Sequence, residues 1–184
     1  DFGGGLGITY QGEQPPAADA LWQQLLARLD ARGYGDRHLM IEPGRSLVGN
    51  AGVCLTEVLY LKPGEHKNFC IVDAAMNDLM RPALYEAWHD IDPVVPRVGT
   101  PRDYDVVGPV CETGDFLGQA RPLCVQPGDL LAVMSAGAYG MSMASNYNSR
   151  GRAAEVMVSG SQAWLIRERE TPAELFRGEH LLPT

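Results

Sequence analysis

The hydrophobic pattern changes period near residue 50, and that change limits the folds open to this chain of 184 residues. Before it lies one amphipathic helix. Leu21, Trp22, Leu25, Leu26 and Leu29 recur at helical spacing between Pro15 and Arg32, and Gly33 and Gly35 end the run. His38-Leu39-Met40-Ile41-Glu42 then reads as a short strand stopped by Pro43-Gly44. Loop, helix, strand and loop in that order make half of an α/β unit. After Asn50 short strands take over. Val53 to Leu61 and Phe69 to Val72 flank a polar turn. Val106 to Val110, Leu130 to Ser135, Glu155 to Val158 and Ala163 to Arg167 follow, the last two joined through Ser159-Gly160-Ser161 as a hairpin. Strands at this spacing, punctuated by Gly and Pro, point to an all-β barrel or sandwich. In Thr171-Pro172-Ala173-Glu174 an N-cap Thr, Pro at the first position and Glu at the third predict a closing helix.

Charge and residue usage narrow the function. Fifteen Lys and Arg against twenty-three Asp and Glu give a net charge of −8. An acidic chain with no basic run is poorly suited to nucleic acid or an anionic membrane. No apolar run approaches ~18 residues, so no spanning helix is expected. Cys54, Cys70, Cys111 and Cys124 show neither C-x-x-C spacing nor density, which argues against a disulfide scaffold and a zinc site and suits a reducing cytoplasm. Lys62 and Lys67 are the only lysines, against thirteen arginines, and both fall in the polar turn Leu61 to Asn68. Chemistry that needs a buried lysine is not expected from these residues. The chain has no initiator Met and starts just before a triple glycine, and it reads as a piece of a longer protein with no signal peptide.

Five segments carry candidate chemistry. Gly3-Gly4-Gly5-Leu6-Gly7 lets backbone N–H groups approach an anion, or is a plain tight turn. Glu42-Pro43-Gly44-Arg45 puts a carboxylate and a guanidinium at the end of a strand beside a second glycine, which is either a ligand site or a structural ion pair. In Asn77-Asp78-Leu79-Met80-Arg81-Pro82-Ala83-Leu84-Tyr85, Pro82 places Arg81 at the entry of a short helix and Tyr85 one turn on. Arg81 can grip a carboxylate; the bland alternative is a surface Arg with a half-buried core Tyr. Cys111-Glu112-Thr113-Gly114-Asp115 has no histidine nearby to activate the thiol. It suits a proton donor, or else a small buried hydrophobe at a strand end. Ala136-Gly137-Ala138-Tyr139-Gly140, followed by Ser145-Asn146-Tyr147-Asn148, is either a site where Tyr139 reaches a ligand phosphate or a tight corner that admits only small residues. His38, His66, His89 and His180 show no ligand spacing and read as solvated or packing residues.

Taken together and in order, these segments resemble the meso-diaminopimelate decarboxylase family, within the fold-type III, alanine-racemase-like decarboxylases that use pyridoxal 5'-phosphate (PLP). The resemblance implies an α/β barrel remnant over residues 1–50, the last helix–strand unit of a PLP-binding barrel, followed by an all-β barrel or sandwich domain over 51–184. It implies that Gly5, Gly44 and the Arg45 backbone cradle the cofactor phosphate, and that Glu42 keeps the pyridine nitrogen protonated. Arg45, Arg81 and Tyr85 resemble the residues that hold the far end of the substrate. Cys111 resembles the proton donor, Glu112 the ligand of the substrate ammonium, and Tyr139 a residue that touches both cofactor and substrate. In the family Cys111 and Glu112 serve the neighbouring subunit's site, which implies a homodimer. The family's Schiff-base lysine, its early barrel strands and a histidine that stacks on the ring belong to a region outside this chain, so the chain alone is expected to be inactive. A related decarboxylase acting on ornithine, arginine or carboxynorspermidine, and a non-catalytic β-domain for dimerisation or regulation, are the competing readings. Paired Arg45 and Arg81 favour a substrate with a second carboxylate.

Overall fold

A computed structural model describes residues 1–183. Helix α1 (Ala18–Asp30) forms where the leucine spacing places it. None of its residues is buried, and Leu21 and Leu26 remain 39% and 46% exposed, so its apolar face has no partner among the described residues. The strand expected over 38–42 does not form. Phe2 donates to the Met40 carbonyl at 3.0 Å and Glu42 to the Gly3 carbonyl at 2.7 Å, and pairing stops there. Gly3 and Gly5 take φ of 63° and 93°, which turns the adjoining backbone out of any ladder. Pro43 instead leads into a short helix, α2 (Gly44–Val48).

Six strands build the main sheet: β1 (Cys54–Lys62), β2 (Asn68–Val72), β3 (Ile91–Pro93), β4 (Arg102–Val107), β5 (Phe116–Leu123) and β6 (Leu130–Val133). Their order is β3-β6-β1-β2-β4-β5. Only β2 and β4 pair in parallel. The edge strands β3 and β5 approach each other, so the sheet is a nearly closed mixed barrel. The lysine turn joins β1 to β2 as the sequence indicates. Two strands were not expected. In β5 the pattern is broken by Gly118, Arg121 and Pro122, and Ala120 has a positive φ of 50°. A β-carbon on Gly118 would crowd Arg121 Nε and stand 2.9 Å from the Ile91 side chain, so a larger residue there would displace the buried Arg121 guanidinium. In β3 three residues are too few to carry a period. The strand expected over Val106 to Val110 starts earlier and ends at Val107, where Gly108 and Pro109 stop it.

Val58, Cys70, Val72, Val106, Leu117, Leu131 and Val133 are fully buried and form the barrel core. Each large aliphatic side chain among them contributes about 1.5–3 kcal/mol by leaving water. The remaining strands, β7 (Glu155–Ser159) and β8 (Gln162–Arg167), make a separate hairpin outside the barrel. Helix α4 (Pro172–Leu175) starts at Thr171 with the expected capping box. No helix among the described residues is long and apolar enough to cross a membrane.

Candidate active site

Buried polar pins fix the segments that carry the chemistry. The Asp115 carboxylate accepts from the N–H groups of Met76 and Val110, both at 2.7 Å, and ties the β4–β5 connection to the turn after β2. Asn77 is fully buried; it accepts from Arg150 Nε at 2.9 Å and donates to the Ser145 carbonyl at 3.2 Å. These bonds hold the entry to helix α3 (Arg81–Tyr85), in which Pro82 stands near the start as the sequence indicates. Tyr85 ends that helix 62% exposed, which excludes a half-buried core role.

The glycine-rich segments meet in one open cleft of about 260 Å³, lined by Gly4, Gly5, Leu6, Glu42 to Ser46 and Tyr139. It therefore brings together Gly5, Glu42, Gly44, Arg45 and Tyr139 from three stretches of sequence. Sites for drug-sized ligands run to roughly 300–1,000 Å³, and this cleft falls just below that range. Glu42 is held by its backbone between Gly3 and Gly44, whose N–H donates to the Glu42 carbonyl at 2.9 Å. Neither Glu42 nor Arg45 forms an ion pair among the described residues, so they are not the structural pair that the sequence left open. Pro43 provides no side-chain cap to α2, which leaves its first N–H groups at the cleft wall without one. Tyr139 adopts a left-handed φ of 62°, a conformation that costs a bulky residue about 1–3 kcal/mol and clusters at ligand sites. Its small neighbours serve packing, since β-carbons on Gly137 and Gly140 would strike the backbone of Val48 and Ala136.

Tyr139 also links the cleft to Arg81, whose guanidinium carbon lies 5.7 Å from its ring centre. Cys111 and Glu112 stand apart from this group. Both are exposed on the β4–β5 connection, and no described contact joins them to the cleft. Exposure excludes the buried-hydrophobe role for Cys111. Cys54 and Cys70 behave oppositely, because burial pushes both thiols up to about 12. Tyr147 donates to Glu112 Oε2 at 3.2 Å, and that bond raises the phenol pKa.

The family model described as "Pyridoxal-dependent decarboxylase, C-terminal sheet domain" matches residues 10–137. The chain belongs to this family. Similar curated relatives include the diaminopimelate decarboxylase of Pseudomonas aeruginosa, 61% identical over 100% of this chain and 43% of that one. That of Vibrio cholerae is 56% identical over the same shares. Among solved structures, a diaminopimelate decarboxylase from M. jannaschii in complex with L-lysine matches 98% of this chain and 42% of its own, with 42% identity and a TM-score of 0.88. One from Helicobacter pylori, also with L-lysine, matches 95% and 43%, with 41% identity and a TM-score of 0.85. The chain thus spans less than half the length of the relatives it matches.

A pyridoxal-dependent family implies PLP, and the cleft accommodates part of it. Gly5 and Gly44 have nothing within 4 Å of where a β-carbon would stand, which leaves room for a group held by backbone N–H donors. Glu42 supplies an acceptor without a protein partner. Neither lysine lines the cleft, and Lys67 is committed to Asp105 at 2.8 Å, so these residues fit the phosphate and ring-nitrogen end of PLP and not its aldehyde end. Two neighbours of Arg81 are not marked as its partners by the sequence. Tyr10 and the fully buried His89 flank Arg81. His89 is the packing histidine that the sequence allows, but nothing in its spacing names its partners, which come from distant segments.

Proposed function

We propose that this chain is the C-terminal part of a PLP-dependent diaminopimelate decarboxylase, a biosynthetic enzyme of the cytoplasm that forms L-lysine and CO2. The observation that carries the reading is the convergence of Gly5, Glu42, Gly44, Arg45 and Tyr139 on one cleft beside Arg81. Residues 1–50 are then the last unit of the cofactor barrel, and the sheet domain begins near residue 51. When bound, PLP would supply an electron-withdrawing ring that takes up the electrons left when CO2 departs. Gly5 and the Gly44–Arg45 backbone bind its phosphate, and Tyr139 bounds the site. The Glu42 carboxylate holds a proton at the ring nitrogen. Arg45, Arg81 and Tyr85 bind the far carboxylate of the substrate, which carries an amino-acid group at each end, so that one is left to be recognised while the other reacts. Cys111 donates a proton and Glu112 binds the far ammonium, both in the site of a second copy. Their exposure, and their absence from the lining of their own chain's cleft, support a homodimer with shared sites.

The test is Glu42→Gln in the full-length protein. A neutral amide cannot hold the ring proton, so PLP is expected to remain bound, by absorbance, while turnover of diaminopimelate falls by about 100-fold or more. Unchanged turnover removes Glu42 from the mechanism.

A further inference from the structure

Arg81 is anchored without a counter-ion. Its Nη1 donates to His89 Nε2 at 3.2 Å, and its guanidinium carbon lies 4.8 Å from the ring centre of Tyr10. No acidic side chain pairs with it among the described residues. His89, between α3 and β3, is fully buried. Its Nδ1 lies 2.8 Å from the carbonyl of Met134, just after β6. A carbonyl can only accept, so Nδ1 carries the proton and Nε2 is left as the acceptor for Arg81. Tyr10, from the N-terminal loop, packs edge-on against the imidazole at 5.2 Å. The charged groups facing the ring are Arg81, Arg121 and Asp90. Burial foremost, then the two guanidinium groups, hold the imidazole below its usual 6.5, against the Met134 bond and Asp90.

We infer that His89 is a positioning residue: it fixes the Arg81 guanidinium through a neutral acceptor and so leaves the full positive charge for the far carboxylate of the substrate. The inference rests on the reading of Arg81 given above. A carboxylate in place of His89 would fix the guanidinium as well, but would form the ion pair itself. Hydrogen bonds between charged groups are about twice as strong as neutral ones. The substrate would then compete with a built-in anion.

The full-length holoenzyme tests this with the isosteric pair His89→Gln and His89→Glu, and with Arg81→Ala as control. Gln keeps a neutral acceptor and is expected to raise KM for diaminopimelate about 3-fold, whereas Glu raises it about 30-fold or more, with kcat moving less in both. A purely structural role for His89 would move both variants alike. Equal KM values for Gln and Glu, with Arg81→Ala still raising KM, overturn the inference alone. A KM unmoved by Arg81→Ala overturns the substrate reading and the inference with it. If the Glu variant does not fold, pH reads the same contact. Protonation removes the acceptor, so KM of the unsubstituted enzyme rises as pH falls, with its midpoint below that of an ordinary imidazole, and His89→Gln lacks the rise. A rise of the same size in both enzymes overturns the inference.

Discussion

The barrel and the β7–β8 hairpin are made of similar residues and end in opposite situations. In the barrel, Val58, Val106, Leu131 and Val133 are fully buried. In the hairpin, Val156, Val158, Leu165 and Ile166 remain 56%, 65%, 60% and 56% exposed. Helix α1 sides with the hairpin. An apolar period therefore identifies a face that seeks burial and is silent on whether its partner lies in the same stretch of chain. The 43% coverage of the relatives leaves ample sequence in a longer protein to cover these faces.

The largest expected effect concerns the exposed thiol carried by the barrel. In the full-length protein Cys111→Ala is expected to lower kcat by about 10²–10⁴-fold, the usual worth of a positioned proton donor. Mixing it with a variant that lacks the cofactor-bearing lysine should restore part of the activity, because a mixed dimer holds one site with both groups intact. A mixture that stays inactive while subunits exchange places the thiol outside the partner's site. Next comes packing. Leu131→Ala should cost about 2–5 kcal/mol in urea unfolding. Leu165→Ala should cost under about 0.5 kcal/mol in these 184 residues and clearly more in the full-length protein. Equal costs in the two lengths would show that the hairpin stays bare.

The smallest effect is a slope. Glu170 accepts from the Arg152 backbone N–H, from Asn146 and from the Arg152 side chain, and these bonds hold its carboxyl down to about 2 from an ordinary 4.5. A depressed folded-state pKa stabilises above 4.5, and the contribution is lost as pH falls from there through about 2. Glu170→Gln should flatten acid unfolding across that window, measured by the midpoint at successive pH values. An unchanged slope assigns acid sensitivity to other carboxylates.

The two regions also differ in how far they were legible. Helix α1, the β1–β2 hairpin, β7–β8, α3 and the α4 cap follow from local signals: leucine spacing, turn residues, Pro82 and Thr171. Strand β5 does not, because Gly118 and Arg121 answer to crowding within the strand and against Ile91 of β3 rather than to a period. The expected strand at 38–42 failed because pairing depends on neighbours, and Gly3 and Gly5 supply too few. In the candidate site, residue types suggested Glu42, Arg81 and Tyr139 from their motifs. Tyr10 and His89 were invisible as a pair, since their roles arise only when α3, β6 and the N-terminal loop converge.

Gly52 and Gly137 cross so closely that a β-carbon on Gly52 would stand 2.6 Å from the Gly137 α-carbon. Gly137 also donates its N–H to the Gly49 carbonyl at 3.0 Å. This crossing joins the segment carrying α2 to the strand end carrying Tyr139, main chain against main chain. Evolutionary drift is blocked there by geometry alone. Any lineage that altered its ligand could rewrite Glu42 or Arg81 and would still inherit these two glycines, so their persistence in a descendant would record the architecture and carry no news of the chemistry.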